Sequence, residues 1–257
     1  MAIVNVTPDS FSDGGERLDP ARAIDDGLRF VAEGADILDV GGESTRPGSA
    51  AVSPDEERRR VLPVVESLVR QGAVVSLDTR RASVAEAGLA AGARIVNDVS
   101  ALRDDEAMLP LIARTQAAVI LMHRRGRSEE RYAGPAYDDV VEDVRRFLLG
   151  RAAACVAAGV ERGGIALDPG LGFGKKVEEE LALIAGARRL ADTGYPVLIG
   201  ASRKSFIGRL TGVERAADRD PASALLAVEA VRHGASIVRV HNVQATRQAL
   251  AVFEAMR

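Results

Sequence analysis

Eight short β-branched runs, each followed by a longer stretch of helical periodicity, constrain this chain more than any single motif. The runs lie at 2–5, 36–40, 73–77, 94–97, 117–122, 164–167, 196–200 and 236–240. Helical patterns cover 20–34, 54–71, 82–91, 105–115, 137–158, 178–192, 220–233 and 244–256. This alternation predicts an α/β fold built on a parallel sheet. An open doubly wound sheet uses the same alternation, but eight units with no helix-to-helix break favour a closed (β/α)8 barrel. No linker or shift in composition interrupts the 257 residues, so 1–257 reads as one TIM-barrel domain. Its site is expected at the carboxyl ends of the strands.

Local signals agree with these boundaries. Ser53-Pro54-Asp55-Glu56 and Asp220-Pro221 open helices, with proline in the first turn. Gly34, Gly72, Gly92, Gly159 and Gly234 close helices just before the next strand.

Charge and cysteine content narrow the function. A net charge of -3 offers no global attraction to nucleic acid, so any anion site must be local. No apolar run approaches the ~20 residues that cross a bilayer, and no basic-then-apolar leader precedes the first strand. The single cysteine, Cys155, lies in an alanine-rich helix and is expected to be a buried structural thiol in a reducing, cytoplasmic setting. Only Lys175, Lys176 and Lys204 are lysines among 34 basic residues, which draws attention to them because arginine serves wherever charge alone is needed.

The strand ends carry Asn5, Asp39, Asp78, Asn97 with Asp98, His123, Asp168, Ser202-Arg203-Lys204, and Arg239 with His241. Turn chemistry explains one or two such residues. At all eight ends, they describe a polar mouth. After the first strand the chain spends residues 5–15, "NVTPDSFSDGG", on a loop far longer than a turn needs.

That loop, with "DVGGESTRPG" (39–48), "SLDT" (76–79), "IVNDVS" (95–100), "LDPGLGFGK" (167–175), "SRKSFIG" (202–208) and "RVHNV" (239–243), resembles the dihydropteroate synthase family, in that family's order and across nearly the whole chain. The chain departs from the family in "LMHRRG", which replaces the usual Met-Gln-Gly continuation, and in Asn242, where aspartate is common.

The resemblance implies condensation of 6-hydroxymethyl-7,8-dihydropterin pyrophosphate with p-aminobenzoate, giving 7,8-dihydropteroate and pyrophosphate for folate biosynthesis. It places Asp168 and Asn97 on the pterin ring, where a carboxylate can accept two parallel N–H donors. Lys204 is to reach the pterin carbonyl, and Met122 to line the pocket. Asp78 lies near the carbon that becomes cationic. Thr45, Arg46, Arg239 and His241 are to hold the diphosphate, with Asn5 as the ligand for Mg²⁺. Ser205 and backbone N–H groups are to take the p-aminobenzoate carboxylate between walls of Phe173, Phe11 and Pro47. Asp39 and Arg203 complete the substrate set, and Asp78, Lys204 and Arg239 are the catalytic residues.

Lys175 and Lys176 read as solvated charges, and His123 as ambiguous. The loop after Asn5 reads as a lid ordered by substrate. The implied mechanism is dissociative and uses no nucleophilic side chain. A homodimer is implied, with helix 222–231 as one candidate face, although a core-facing stripe explains its pattern equally well. The rival readings are a pterin-binding methyltransferase domain, a generic phosphate-binding barrel, and a non-catalytic pterin binder.

Overall fold

The computed structural model describes residues 1–7, 20–44, 52–126 and 136–257. Phe11, Thr45, Arg46, Pro47 and the lid expected after Asn5 lie outside the described residues. In chain order the elements are β1 (Ala2–Asn5), α1 (Pro20–Ala32), β2 (Leu38–Gly41), α2 (Pro54–Arg70), β3 (Val75–Asp78), α3 (Ala82–Ala90), β4 (Ile95–Asp98) and α4 (Met108–Thr115). There follow β5 (Ala118–Met122), α5 (Val140–Ala157), β6 (Ile165–Asp168), α6 (Val177–Ala185), α7 (Ala187–Ala191), β7 (Leu198–Ile199), α8 (Ser205–Thr211), α9 (Asp220–Arg232), β8 (Ile237–Val238) and α10 (Val243–Ala255).

Strands β1 to β6 pair in sequence order, all parallel, and β7 pairs with β8. Two seams close the ring. At the first, Leu167 donates to Pro196 at 2.9 Å, joining β6 to the chain entering β7. At the second, Ile3 donates to Val240 and Val240 to Met1, each at 3.0 Å, joining β8 to β1. The result is the (β/α)8 TIM barrel that the alternation predicts.

Side-chain alternation along each strand builds two apolar layers. On β5, Ile120 points inward to Ala166 and Leu198, with Ile37, Ile95 and Ile237 around them. Its neighbours Val119 and Leu121 point outward and pack with Leu148, Leu167 and Ile199 beneath the helices. On the opposite side Leu38, Val40 and Leu77 meet Val61 and Leu68 of α2. Among the described residues, apolar side chains thus fill the barrel below its polar mouth.

Caps confirm several helix starts. Ser53 Oγ accepts from Glu56 N at 3.2 Å. Asp139 accepts from Val141 N at 3.0 Å, so α5 begins at Val140 rather than 137. Asp105 is used as an acceptor for Ala82 N at 2.8 Å, and α4 starts only at Met108. The predicted helix 178–192 breaks at Gly186, where a Cβ would meet Val141 Cγ1 of α5 at 2.8 Å. Asp220 opens α9 as expected, yet its carboxylate makes no cap and serves the site instead. Cys155 is buried, and no helix among the described residues is long and apolar enough to cross a membrane.

Candidate active site

Register brings the strand ends onto one face. Asn5, Gly41, Asp78 and Asn97 are consecutive neighbours across β1 to β4, and Met122 lies beside Asp168 across β5 and β6. Because all eight strands run the same way, residues far apart in sequence converge there.

The first cluster is ionic. Arg239 Nε donates to Asp39 Oδ2 at 2.6 Å, and its terminal nitrogen donates to Asp78 Oδ2 at 2.8 Å. Asn97 Nδ2 donates to the same Asp39 oxygen at 3.0 Å. Asp39 is fully buried, so its charge is carried by these two partners. Burial pushes Asp78 up to about 7, against the opposing pull of Arg239. Sequence reading named all four residues but not their mutual bonding. One guanidinium holds two carboxylates from different strands.

The second cluster surrounds Asp168. Its Oδ1 accepts from Gly170 N at 2.7 Å, and its backbone carbonyl accepts from His123 N at 2.9 Å. Burial raises its pKa. Met122, Phe173 and Val99 form a small buried apolar wall beside it. Lys204 Nζ lies 4.4 Å from the centre of the Phe173 ring, an arrangement that a cation finds favourable. Burial, aided by Arg239, lowers Lys204 to about 8. Gly172, at φ +83°, lets the backbone pass under this lysine; a Cβ would stand 2.9 Å from Lys204 Cδ.

Two residues correct the sequence reading here. Lys175 is not a solvated charge: it is buried, and Nζ donates to Gly170 O at 2.8 Å and His123 O at 3.3 Å. Lys176, by contrast, is exposed at the start of α6. The His123 ring packs edge-on against Phe147, with centroids 4.9 Å apart. Burial and the nearby Lys175 depress it to about 2, so it is neutral and contributes its backbone.

The third cluster forms the rim. Ser202 Oγ accepts from His241 N at 3.1 Å and lies 3.0 Å from His241 Nδ1. Arg203 engages Asp220 in two bonds of 2.6 and 2.8 Å, and Asn242 donates to that carboxylate at 2.9 Å. Arg203 thus anchors the "SRKS" turn to α9. Ser205 opens α8 and is exposed. A cavity of about 380 Å³ includes Asn5, Arg22, Arg203, His241 and Asn242 in its lining. Asn5 is exposed at the end of β1.

A fourth group frames the segment 45–51. Arg81 bonds Glu43 before it at 2.9 and 3.0 Å, and Val52 O after it at 2.7 Å. Arg81 also pairs with the buried Glu57 of α2. Arg80 reaches Asp104 at 3.2 Å, and Arg124 pairs with the same carboxylate.

The sequence reading gave Val99 and Arg81 no place, named Ser202 only as a strand-end residue, and took Lys175 for a solvated charge. Only Lys175 left a usable signal there, as a rare lysine in an arginine-rich chain. The other three act through packing or pairing between loops, which no local pattern encodes.

The pterin binding enzyme family matches residues 1–241 of this chain. A dihydropteroate synthase of Mycobacterium leprae is 51% identical over 98% of this chain and 91% of the relative. One of Neisseria meningitidis serogroup C is 48% identical over 100% of this chain and 92% of the relative. The solved structure of Xanthomonas albilineans dihydropteroate synthase with 4-aminobenzoic acid superposes with a TM-score of 0.93. It is 47% identical and covers 99% of this chain and 91% of its own. The same organism's enzyme in complex with 7,8-dihydropteroate gives a TM-score of 0.90 at 44% identity, covering 99% and 92%. With a filled barrel, an acidic and cationic mouth and relatives matched over almost their whole length, the chain belongs to the dihydropteroate synthase family of pterin-binding enzymes.

Proposed function

We infer that this chain, as one pterin-binding domain, condenses 6-hydroxymethyl-7,8-dihydropterin pyrophosphate with p-aminobenzoate to yield 7,8-dihydropteroate and pyrophosphate. The observation that carries the reading is the placement of Asp168 and Lys204, which influence each other electrostatically, beside the Val99–Met122–Phe173 wall. A flat heterocycle with donors on one edge and a carbonyl nearby matches that arrangement. Asp168 accepts from the ring N–H and exocyclic amine, with Asn97 beside it, and Lys204 donates to the carbonyl.

In the reaction, the bond between the pterin methylene carbon and the diphosphate oxygen breaks, and its electron pair leaves with the oxygen. The amine lone pair of p-aminobenzoate then forms the new carbon–nitrogen bond, and that nitrogen releases a proton. Asp78, held at 2.8 Å by Arg239, supplies negative charge near the cationic carbon. Arg239 and His241 receive the departing diphosphate with Thr45 and Arg46. Ser205 and the turn into α8 take the p-aminobenzoate carboxylate, with Phe173, Phe11 and Pro47 as walls. No covalent enzyme intermediate is required, so orientation and charge placement account for the rate.

Among the described residues, no three acidic, histidine or cysteine side chains gather as a metal cage. The exposed amide of Asn5 nevertheless fits Mg²⁺, a hard cation that binds mainly through substrate phosphates and water. When bound, the ion would neutralise charge on the leaving diphosphate.

A homodimer is part of this reading. Ser223, Ala224, Ala227 and Ala230 of α9 face the barrel, whereas Leu225 is 61% exposed and Leu210 of α8 is 53% exposed. A second copy would cover these leucines, and a monomer by light scattering would count against that state. The lone buried thiol supports a cytoplasmic setting, which fractionation of the source cells would test.

One assay tests the function. Purified protein supplied with Mg²⁺ and both substrates is expected to form dihydropteroate and release pyrophosphate. Pyrophosphate should appear only when pterin diphosphate is present, and should cease on chelation. Absence of dihydropteroate would overturn the reading.

A further inference from the structure

Lys175 has no role in the mechanism above, yet its side chain is buried. Its ammonium bonds two backbone carbonyls from different loops: Gly170 O after β6 at 2.8 Å and His123 O after β5 at 3.3 Å. Those same residues hold Asp168 from its other side. Gly170 N donates to Asp168 Oδ1 at 2.7 Å, and His123 N donates to the Asp168 carbonyl at 2.9 Å. Lysine, two carbonyls and two amides therefore form one closed circuit around the aspartate.

The circuit leaves no room for adjustment. Gly170 has φ +70°, and a Cβ there would lie 1.8 Å from His123 O. The two loops touch backbone to backbone, and the lysine ammonium bridges their carbonyls where they meet. With Oδ1 fixed by Gly170, the plane of the Asp168 carboxylate is set by the position of that loop.

Burial of a charge at this point needs compensation. Asp168, Glu180 and Glu179 face Lys175 with negative charge, and Lys204 faces it with positive charge. His123, neutral, adds only its carbonyl. Burial lowers Lys175 to about 7, against the opposing pull of Asp168 and Glu180. The compact ammonium fits where two loops are in backbone contact, whereas a wider planar guanidinium would have to part them. That requirement accounts for lysine in a chain where 31 of 34 basic residues are arginine.

We propose that Lys175 is a positioning residue for the reaction, tying the loops after β5 and β6 together so that the Asp168 carboxylate is held ready for the pterin edge. The proposal rests on the reading that Asp168 binds the pterin.

The test compares the wild type, Lys175→Met, Lys175→Arg and Asp168→Asn. Calorimetry measures affinity for 6-hydroxymethylpterin, steady-state kinetics give the KM for p-aminobenzoate at saturating pterin diphosphate, and thermal melting reports folding. Misplacing a recognition group by a fraction of its bond length is expected to weaken pterin binding in Lys175→Met by roughly tenfold to a hundredfold. Lys175→Arg should not rescue it, and the KM for p-aminobenzoate, whose pocket shares only Phe173 with this loop, should rise by a much smaller factor than pterin affinity falls. Pterin affinity retained in a folded Lys175→Met overturns the proposal. So does equal loss at both substrates, or unfolding of both lysine variants, because each marks a general structural role. If Asp168→Asn binds the pterin as wild type does, the reading of Asp168 fails instead.

Discussion

Replacing Arg239 by methionine deletes a buried charge while nearly preserving side-chain length, and the structure sets the size and the pH dependence of the effect. The guanidinium bonds Asp39 at 2.6 Å and Asp78 at 2.8 Å, and Asp39 is fully enclosed. Removing one member of a buried ion pair costs about 3–5 kcal/mol, chiefly because a charge is left without compensation. For a domain of this size each kcal/mol lowers the melting midpoint by about 2–4 °C, so a fall of roughly 6–20 °C is expected at mildly alkaline pH.

Below neutrality the cost of Arg239→Met shrinks. Burial already pushes Asp78 up to about 7 in the folded protein, against ~3.9 for an unfolded aspartate. Between those values the folded state binds a proton that the unfolded state has released, so stability falls as pH rises. Wild type and variant share that slope, about 1.4 kcal/mol per pH unit. Above about 7 the wild-type carboxylate ionises against Arg239 and its stability levels off. In Arg239→Met the strongest influence lowering the Asp78 pKa is gone, and the loss continues upward.

Urea denaturation of both proteins across this range reads the difference directly. A gap that stays flat from about one unit below to one unit above the Asp78 pKa would refute the argument, as would a cost under about 1 kcal/mol at the alkaline end.

Two further substitutions probe the second cluster. Lys204→Arg keeps the charge but not the compact donor, and is expected to lose most turnover and to weaken pterin binding, with near-normal kinetics as the refuting result. Burial holds the Lys204 ammonium at about 8, so pterin affinity of the wild type should decline as pH rises through that value. Lys204→Arg should lack that decline, because its cation does not titrate. Gly170→Ala forces a left-handed residue and a Cβ 1.8 Å from a carbonyl oxygen. Strain of ~1–2 kcal/mol and overpacking of ~1–3 kcal/mol should together destabilise the protein, and pterin binding should be lost. An unchanged melt in Gly170→Ala would show that the two loops can part.

The barrel was legible because its signal is repeated. Eight apolar runs each specify a strand through burial, and glycines such as Gly92, at φ +102°, punctuate them. Polar strand ends were legible for a related reason: parallel strands send every carboxyl end to one face, so position in the repeat implies position in space. What stayed hidden depends on contacts between repeats. Nothing local to "GLGFGK" says that Lys175 turns inward to meet the carbonyl of His123, 52 residues away. The reassignment of Asp220 from helix cap to Arg203 partner has the same origin, since the competing guanidinium comes from another loop. His123 stayed ambiguous in the sequence because its side-chain type suggested chemistry, whereas the fold uses its peptide groups.

The seam between β8 and β1 bears on how this protein is made. Val240 accepts from Ile3 N and donates to Met1 O, bonds that span almost the full length of the chain. During synthesis, the free edge of β1 must wait until nearly every other strand has left the ribosome. An unpaired strand edge invites pairing with the wrong chain, and contacts this distant in sequence form slowly. The interval before closure is therefore the nascent protein's period of greatest exposure to aggregation, and its yield in a cell is expected to depend on how quickly that last bond ladder forms.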